Sequence, residues 1–189
     1  MCIRDRAKSA GLASIKINAV VKRGVNSDRI LDLLEHFRGT QITVRFIEFM
    51  DVGTLNHWQR SEVVTSAQLI DRISARWPLE PVSSDYRGEV AQRYRFLDGQ
   101  GQVGFISSVS APFCGDCTRV RLSSDGKLFT CLFASEGLDL RTPLRTGASD
   151  DQLYELVANR WRQRRDRYSE ERTGLRVRTE PIEMFKVGG

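Results

Sequence analysis

Three cysteines, Cys114, Cys117 and Cys131, limit what this chain can fold into more than any other feature of its sequence. The first two are three positions apart, so they can lie on one tight turn and ligate the same metal centre. The third follows a Ser124-Asp125-Gly126 segment that is typical of a hairpin turn. We therefore expect the three thiols to share one site. Because a second complete pair of ligands is missing, such a centre would keep one coordination position open.

The length of the turn decides which residue faces Cys131. We expect strands over 118–123 and 127–133. A two-residue turn would set Cys131 opposite Val120, and a three-residue turn with a glycine bulge would set it opposite Arg119. We predict the bulged turn, because it alone places the third thiol on the same face as the two arginines of the strand.

The spacing alone leaves the nature of the centre open. A zinc ion takes four ligands, and only the distant His36 or His57 could supply the fourth. A [4Fe–4S] cluster held by three thiolates has one iron free to bind a substrate atom. Unligated structural thiols are the third possibility.

Composition narrows the class of protein. The chain has 189 residues, of which 40% are apolar and 28% charged, as in ordinary globular proteins. It has no apolar run near the ~18 residues that cross a bilayer, and no secretory leader, so we expect a cytoplasmic protein without membrane contact. A net charge of +5 favours anionic partners such as nucleotides. We interpret the arginine-rich segment 160–167 as a solvated helix face.

The first half of the chain has the pattern of a parallel α/β structure. Apolar alternation predicts strands over 15–21 and 42–49, and an apolar stripe predicts a helix between them. Thr65 and Gln68 form a candidate capping box for a second helix. Two parallel strands alone would expose too much apolar surface, which suggests that the chain lacks its beginning. Further on, the pattern predicts strands over 93–97 and 102–107 and a helix that Ser149 and Gln152 cap.

Several short runs together resemble one family, the radical-SAM GTP 3′,8-cyclases of the molybdenum cofactor biosynthesis protein A type. The runs are Lys16–Val21, Arg23–Asn26, Arg45–Met50, the cysteine motif with Arg119 and Arg121, and the closing Gly188-Gly189. The resemblance implies an α/β fold, the C-terminal part of an incomplete (β/α) radical-SAM barrel followed by a small α+β iron–sulfur domain. On this basis 7–77 belongs to the barrel, and 78–189 is the domain that binds the cluster and GTP. Residues 1–6 join none of the patterns, so we interpret them as a non-native leader.

The resemblance also implies roles for individual residues. Cys114, Cys117 and Cys131 would ligate a [4Fe–4S] cluster. Arg119, Val120, Arg121 and Lys16 would contact GTP, and Met50 would line the S-adenosylmethionine pocket. Arg119 and Arg121 would act in catalysis together with Gly188 and Gly189, whose tail would enter the active site.

The implied reaction converts GTP to 3′,8-cyclo-7,8-dihydro-GTP through a radical derived from S-adenosylmethionine. It requires a second [4Fe–4S] cluster, which the family binds through a Cys-x-x-x-Cys-x-x-Cys run that these residues lack. We therefore expect a C-terminal fragment that is inactive alone. The implied partners are GTP, a second copy in a homodimer and, in the pathway, a cyclic pyranopterin monophosphate synthase, with no nucleic acid. Asp51 stands where the family is expected to have proline.

The alternative is a zinc-ribbon module that binds nucleic acid. It would use the cysteine hairpin as a structural element and the arginines of 160–167 as phosphate contacts.

Overall fold

The computed structural model describes residues 2–172 and 182–187. The chain divides into two compact units. The first comprises Met1–Met50 and Trp58–Pro112, and the second comprises Asp51–His57 and Phe113–Gly189. Within the described ranges, none of the helices is long and apolar enough to cross a membrane.

A five-stranded mixed sheet organises the first unit. Its strands are β1 (Lys16–Val21), β2 (Thr43–Glu48), β3 (Leu79–Val82), β4 (Gln92–Phe96) and β5 (Gln102–Ile106), in the order β1-β2-β5-β4-β3. The strands β1, β2 and β5 run parallel, whereas β4 is antiparallel to both of its neighbours. The predicted parallel pairing of the first two strands is thus confirmed.

The helices of this unit differ in whether they bury apolar side chains against the sheet. They are α1 (Ile3–Ser9), α2 (Ile30–Phe37) and α3 (Ser66–Ser74), with short 3₁₀ turns at Ser27–Arg29 and Arg60–Glu62. The stripe on α2 buries Ile30, Leu34 and Phe37 against the sheet. The predicted capping box is confirmed, because the Thr65 side chain accepts from the backbone N–H of Gln68 and the Gln68 side chain accepts from that of Thr65. No residue of Ile3–Ser9 is buried.

The sheet differs from the expected division of the chain at residue 78. Strands β3, β4 and β5 join the same sheet as β1 and β2, so the first compact unit extends to Pro112. The sequence pattern identified only two parallel strands, whereas the structure adds a third, because β5 pairs parallel with β2 through Val44–Val103 and Phe46–Phe105. The fully buried Val103 and Phe105 supply the apolar cover that two strands alone would lack.

Among its described residues, the second unit contains a small antiparallel sheet and three α-helices. Its elements are β6 (Arg121–Leu122), β7 (Lys127–Phe129), β8 (Leu138–Asp139), α4 (Arg141–Arg145), α5 (Asp150–Arg162) and α6 (Tyr168–Glu171), with 3₁₀ turns at Cys114–Asp116 and Met184–Val187. The hairpin strands are shorter than predicted. The ladder ends before Cys131, because Thr130 turns its hydroxyl to Asp166 and the chain turns where Ala134 N–H donates to the Cys131 carbonyl.

The predicted cap of α5 is confirmed, since Ser149 and Gln152 form a reciprocal capping box. The helix itself differs from an ordinary core helix. None of the residues of Asp150–Arg162 is buried, and Tyr154 is 67% exposed.

Candidate functional site

The hairpin has the bulged register predicted from its sequence. Arg121 faces Phe129, and the turn closes where Ser123 N–H donates to the Lys127 carbonyl at 2.9 Å. Gly126 has φ +81°, as the glycine of a three-residue bulged turn requires. Extended beyond the paired residues, which end at Arg121 and Phe129, this register would set Cys131 opposite Arg119 rather than Val120.

The three thiols are free and half-buried in the second unit. Cys114 and Cys117 flank a 3₁₀ turn in which Cys117 N–H donates to the Cys114 carbonyl at 3.3 Å. Gly115 N–H, inside that turn, donates to a Glu170 carboxylate oxygen at 3.1 Å. In the described part of the chain, no group of three or more His, Cys, Asp or Glu side chains could hold a metal ion. As placed, Cys114, Cys117 and Cys131 therefore do not form a site for a single metal ion, and neither His36 nor His57 completes one.

The local electrostatics differ between the thiols. Burial raises the pKa of Cys117, but hydrogen bonding and positive charge from Arg119, together with the charge of Arg164, outweigh burial and bring its pKa below the ordinary value. Burial raises the pKa of Cys131, and the neighbouring Asp166 and Cys114 raise it further. The thiols of Cys131 and Cys114 are thus within electrostatic reach of each other, although they come from different segments.

The two predicted arginines flank the thiols. Burial lowers the pKa of Arg121, and the charge of Arg119 lowers it further, while Cys117 and Cys131 oppose this effect. The Arg119 guanidinium lies over the ring of Phe113 at 5.3 Å, and its buried Nε has no hydrogen-bond partner among the described residues. An orphaned donor on an arginine that already interacts with the Cys117 thiol fits a site that receives an anionic group.

Arg164 is a third arginine at this site, and the sequence did not single it out. Its Nη1 donates to the carbonyl of Cys117, and its side chain is only 12% exposed. The interpretation of 160–167 as a solvated face is therefore wrong for this residue. The helix α5 ends at Arg162, and the chain then turns Arg164 inward. In a run of arginines, the sequence does not indicate which side chain points inward.

The residues predicted to bind from the barrel strands lie in the first unit. Lys16 is exposed and opens β1 opposite Thr43, whereas the half-buried Met50 lies beyond the C-terminal end of β2. A strand of this length rises about 16 Å. The structure thus places Lys16 and Met50 at opposite ends of the parallel strands and does not bring them together.

The sequence also did not reveal a structural role for a buried carboxylate two residues before Met50. Glu48 is fully buried, and its two oxygens accept from the backbone N–H groups of Ser66 at 2.7 Å, Val109 at 2.8 Å and Ser110 at 2.8 Å, and from the Ser110 hydroxyl. Four donors compensate its desolvation, so β2 is fixed to α3 and to the turn after β5.

Asp51, the residue expected to be proline in the family, accepts hydrogen bonds from two side chains of the second unit. Its carboxylate accepts from the Tyr168 hydroxyl at 2.5 Å and from Arg172 Nε at 3.0 Å. The Tyr168 ring stacks on Phe133 with centroids 4.4 Å apart. Gly188 and Gly189 lie outside the described residues.

Comparison with known proteins identifies relatives over nearly the whole chain. The family described as Molybdenum Cofactor Synthesis C matches residues 42–170. A GTP 3′,8-cyclase of Xanthomonas campestris pv. campestris is 57% identical over 183 residues, which are 97% of this chain and 53% of the relative. The GTP 3′,8-cyclases of Synechococcus sp. (strain CC9605) and Staphylococcus haemolyticus are 47% and 44% identical, over 93% and 98% of this chain and 49% and 55% of their own lengths.

The chain thus spans about half the length of the curated relatives that it matches. The matched region includes strand β2, all three clustered cysteines and their arginines. The chain belongs to the Molybdenum Cofactor Synthesis C family.

Proposed function

We propose that this chain provides the C-terminal cluster and the GTP-binding part of a GTP 3′,8-cyclase of molybdenum cofactor biosynthesis. One observation carries the proposal: the turn of Cys114 and Cys117 and the separate segment that ends in Cys131 bring free thiols within electrostatic reach of one another and of Arg121. The relatives that match nearly the whole chain are GTP 3′,8-cyclases, which supports the same conclusion.

Cys114, Cys117 and Cys131 would be the cluster ligands. The donor set fits a [4Fe–4S] cluster, because three thiolates are its usual kind of ligand and the neighbouring arginines offset their negative charge. When bound, the cluster would offer one iron without a protein ligand, where the guanine of GTP can be anchored. Neither unligated thiols nor a single zinc ion would explain why arginines lie next to the cysteines.

The arginines and the strand residues would orient the nucleotide. Arg119 and Arg121 present guanidinium groups that pair well with phosphate or with an electron-rich purine edge, and the exposed Val120 between them leaves its backbone accessible. Lys16 would add a point charge from β1. Met50 would contact S-adenosylmethionine, and Gly188-Gly189 would reach the substrate without side chains that obstruct it.

The proposal extends to the architecture and the partners. The parallel strands β1, β2 and β5 with their helices are consistent with late units of a radical-SAM barrel. The enzyme would be a cytoplasmic homodimer whose product passes to a cyclic pyranopterin monophosphate synthase. The second cluster, which generates the radical, has no three-cysteine run among these 189 residues, so binding rather than turnover is the appropriate test.

The test is anaerobic reconstitution of the chain with iron and sulfide, followed by titration with GTP. We expect about four irons per chain and an electron paramagnetic resonance spectrum that changes on adding GTP. Arg121→Gln should keep the iron and lose the response to GTP, whereas the exposed Arg165→Gln should keep both. Colourless protein with one zinc that binds RNA or DNA would favour the zinc-ribbon alternative and overturn the proposal.

A further inference from the structure

A short segment after α5 contacts both of the chain segments that carry the thiols. Arg164 donates to the carbonyl of Cys117, next to the turn of the first two cysteines. Its Nε lies 3.6 Å from an oxygen of Asp166, and the same oxygen accepts from the hydroxyl of Thr130 at 2.5 Å. Thr130 is 1% exposed and directly precedes Cys131. The Arg164–Asp166 bridge thus connects the two cysteine segments.

The placement of the bridge is determined by its surroundings. The Arg164 guanidinium lies over the Trp161 ring, 5.0 Å from the ring centroid. The backbone N–H of Arg164 donates to the Trp161 carbonyl at 3.1 Å. Farther along, the Glu170 carboxylate accepts from Gly115 N–H inside the first cysteine turn. Contacts on both sides of Asp166 therefore position it against the thiol site.

We propose that Arg164 and Asp166 are positioning residues of the cluster site, which set the separation between the first two cysteines and Cys131 and adjust the charge at the bound cluster. This inference rests on the proposed function, since it requires a cluster on the three thiols. Arg164 supplies a positive charge and a hydrogen-bond donor to the segment of Cys114 and Cys117. Asp166 supplies a negative charge to the segment that ends in Cys131. Outer-shell groups of this kind orient metal ligands and alter reduction potentials.

The opposite charges of the pair give the proposal a specific signature. A positive charge near a cluster favours the reduced, more negative form, and a negative charge disfavours it. Arg164→Gln should therefore make the cluster potential more negative, and Asp166→Asn, which retains an acceptor for Thr130, should make it more positive. A merely structural role would impair cluster retention in both variants without opposite shifts of the potential.

The experiment compares the reconstituted wild-type chain with Arg164→Gln, Arg164→Lys, Asp166→Asn and the neighbouring exposed Arg165→Gln. It measures iron content, the midpoint potential by redox titration, and the rate at which a chelator removes iron. We expect the rate to rise roughly 10- to 100-fold in Arg164→Gln, as for other outer-shell variants. The potential should return toward the wild-type value in Arg164→Lys and be unchanged in Arg165→Gln.

The outcomes separate this inference from the proposed function. Wild-type chain that assembles no cluster would overturn both. A wild-type cluster with Arg164→Gln and Asp166→Asn indistinguishable from Arg165→Gln, or with shifts of the same sign, would overturn the inference alone. If circular dichroism shows that Arg164→Gln does not fold, Arg164→Lys and Asp166→Asn decide, because each preserves the size and polarity of its side chain.

Discussion

Glu183 holds Thr54 through two hydrogen bonds: one carboxylate oxygen accepts from the Thr54 backbone N–H at 2.7 Å and from the Thr54 hydroxyl at 2.9 Å. Gly53 makes this approach possible, because a Cβ there would lie 2.0 Å from the other Glu183 oxygen. The contact fixes the segment Asp51–His57 to the residues that shortly precede Gly188.

Removing this carboxylate should release the Thr54 amide. In Glu183→Ala we expect several-fold faster hydrogen exchange at Thr54, because its acceptor is lost. The exposed Glu136→Ala is the control. The hydrogen bond from Thr54 N–H lowers the pKa of Glu183. Protection should therefore persist above the ordinary glutamate pKa and decline as the pH falls through the lowered value. Unchanged exchange at Thr54 in Glu183→Ala would contradict the contact.

Gly126→Ala should destabilise the second unit. Its φ of +81° disfavours any residue with a Cβ, and an added Cβ would lie 2.7 Å from that of Arg141. We expect a loss of about 1–2 kcal/mol or more from the backbone conformation alone. Thermal unfolding of the metal-free chain measures it. Gly115→Ala, which has open space around it, should be nearly neutral; equal losses in both variants would contradict the predicted strain.

Glu48→Gln should destabilise the first unit, since an amide NH₂ would then face backbone donors that now bind a carboxylate. We expect a loss of about 3 kcal/mol in the free energy of unfolding, measured with denaturant. Glu35→Gln removes an exposed ion pair to Arg76 instead and should cost less than about 1 kcal/mol. A similar small loss at Glu48 would mean that its four hydrogen bonds contribute little.

The thiols of the metal-free chain should differ in their reaction with iodoacetamide. Because the pKa of Cys117 is lowered and that of Cys131 is raised, Cys117 should form its reactive thiolate at lower pH. Mass spectrometry of alkylated peptides across a pH series measures the two profiles. Arg119→Gln should move the Cys117 profile to higher pH. Coincident profiles in the wild-type chain would contradict the assigned environments.

The sequence predicted those features of the fold that depend on short patterns of residues. Both capping boxes and the bulged turn at Gly126 depend on neighbouring residues, and the parallel pair β1 and β2 follows from a strand–helix–strand pattern; each is present. The insertion of β5 beside β2 was missed, because pairing between residues so far apart in sequence leaves no periodic signal.

In the candidate site, too, the sequence predicted the residues that belong to a motif and missed those that do not. Its cysteines, Arg119 and Arg121 form a recognisable spacing, whereas Arg164 of the same site, and Glu48 in the first unit, belong to no motif. Arg164 belongs to a run of similar residues, and its inward orientation depends on where α5 ends. Glu48 lies on a strand with alternating burial, but its four donors come from two distant turns.

The bulged turn between β6 and β7 also determines where the chain can change its length. Side chains alternate along a strand, so one residue inserted or deleted within Ser124–Gly126 would move Cys131 to the other face and bring Leu132 or Thr130 into its place. Related sequences that keep the three thiols should therefore have a hairpin loop of constant length. The exposed connection at Thr146–Gly147 has no such register to preserve, and insertions should accumulate there instead.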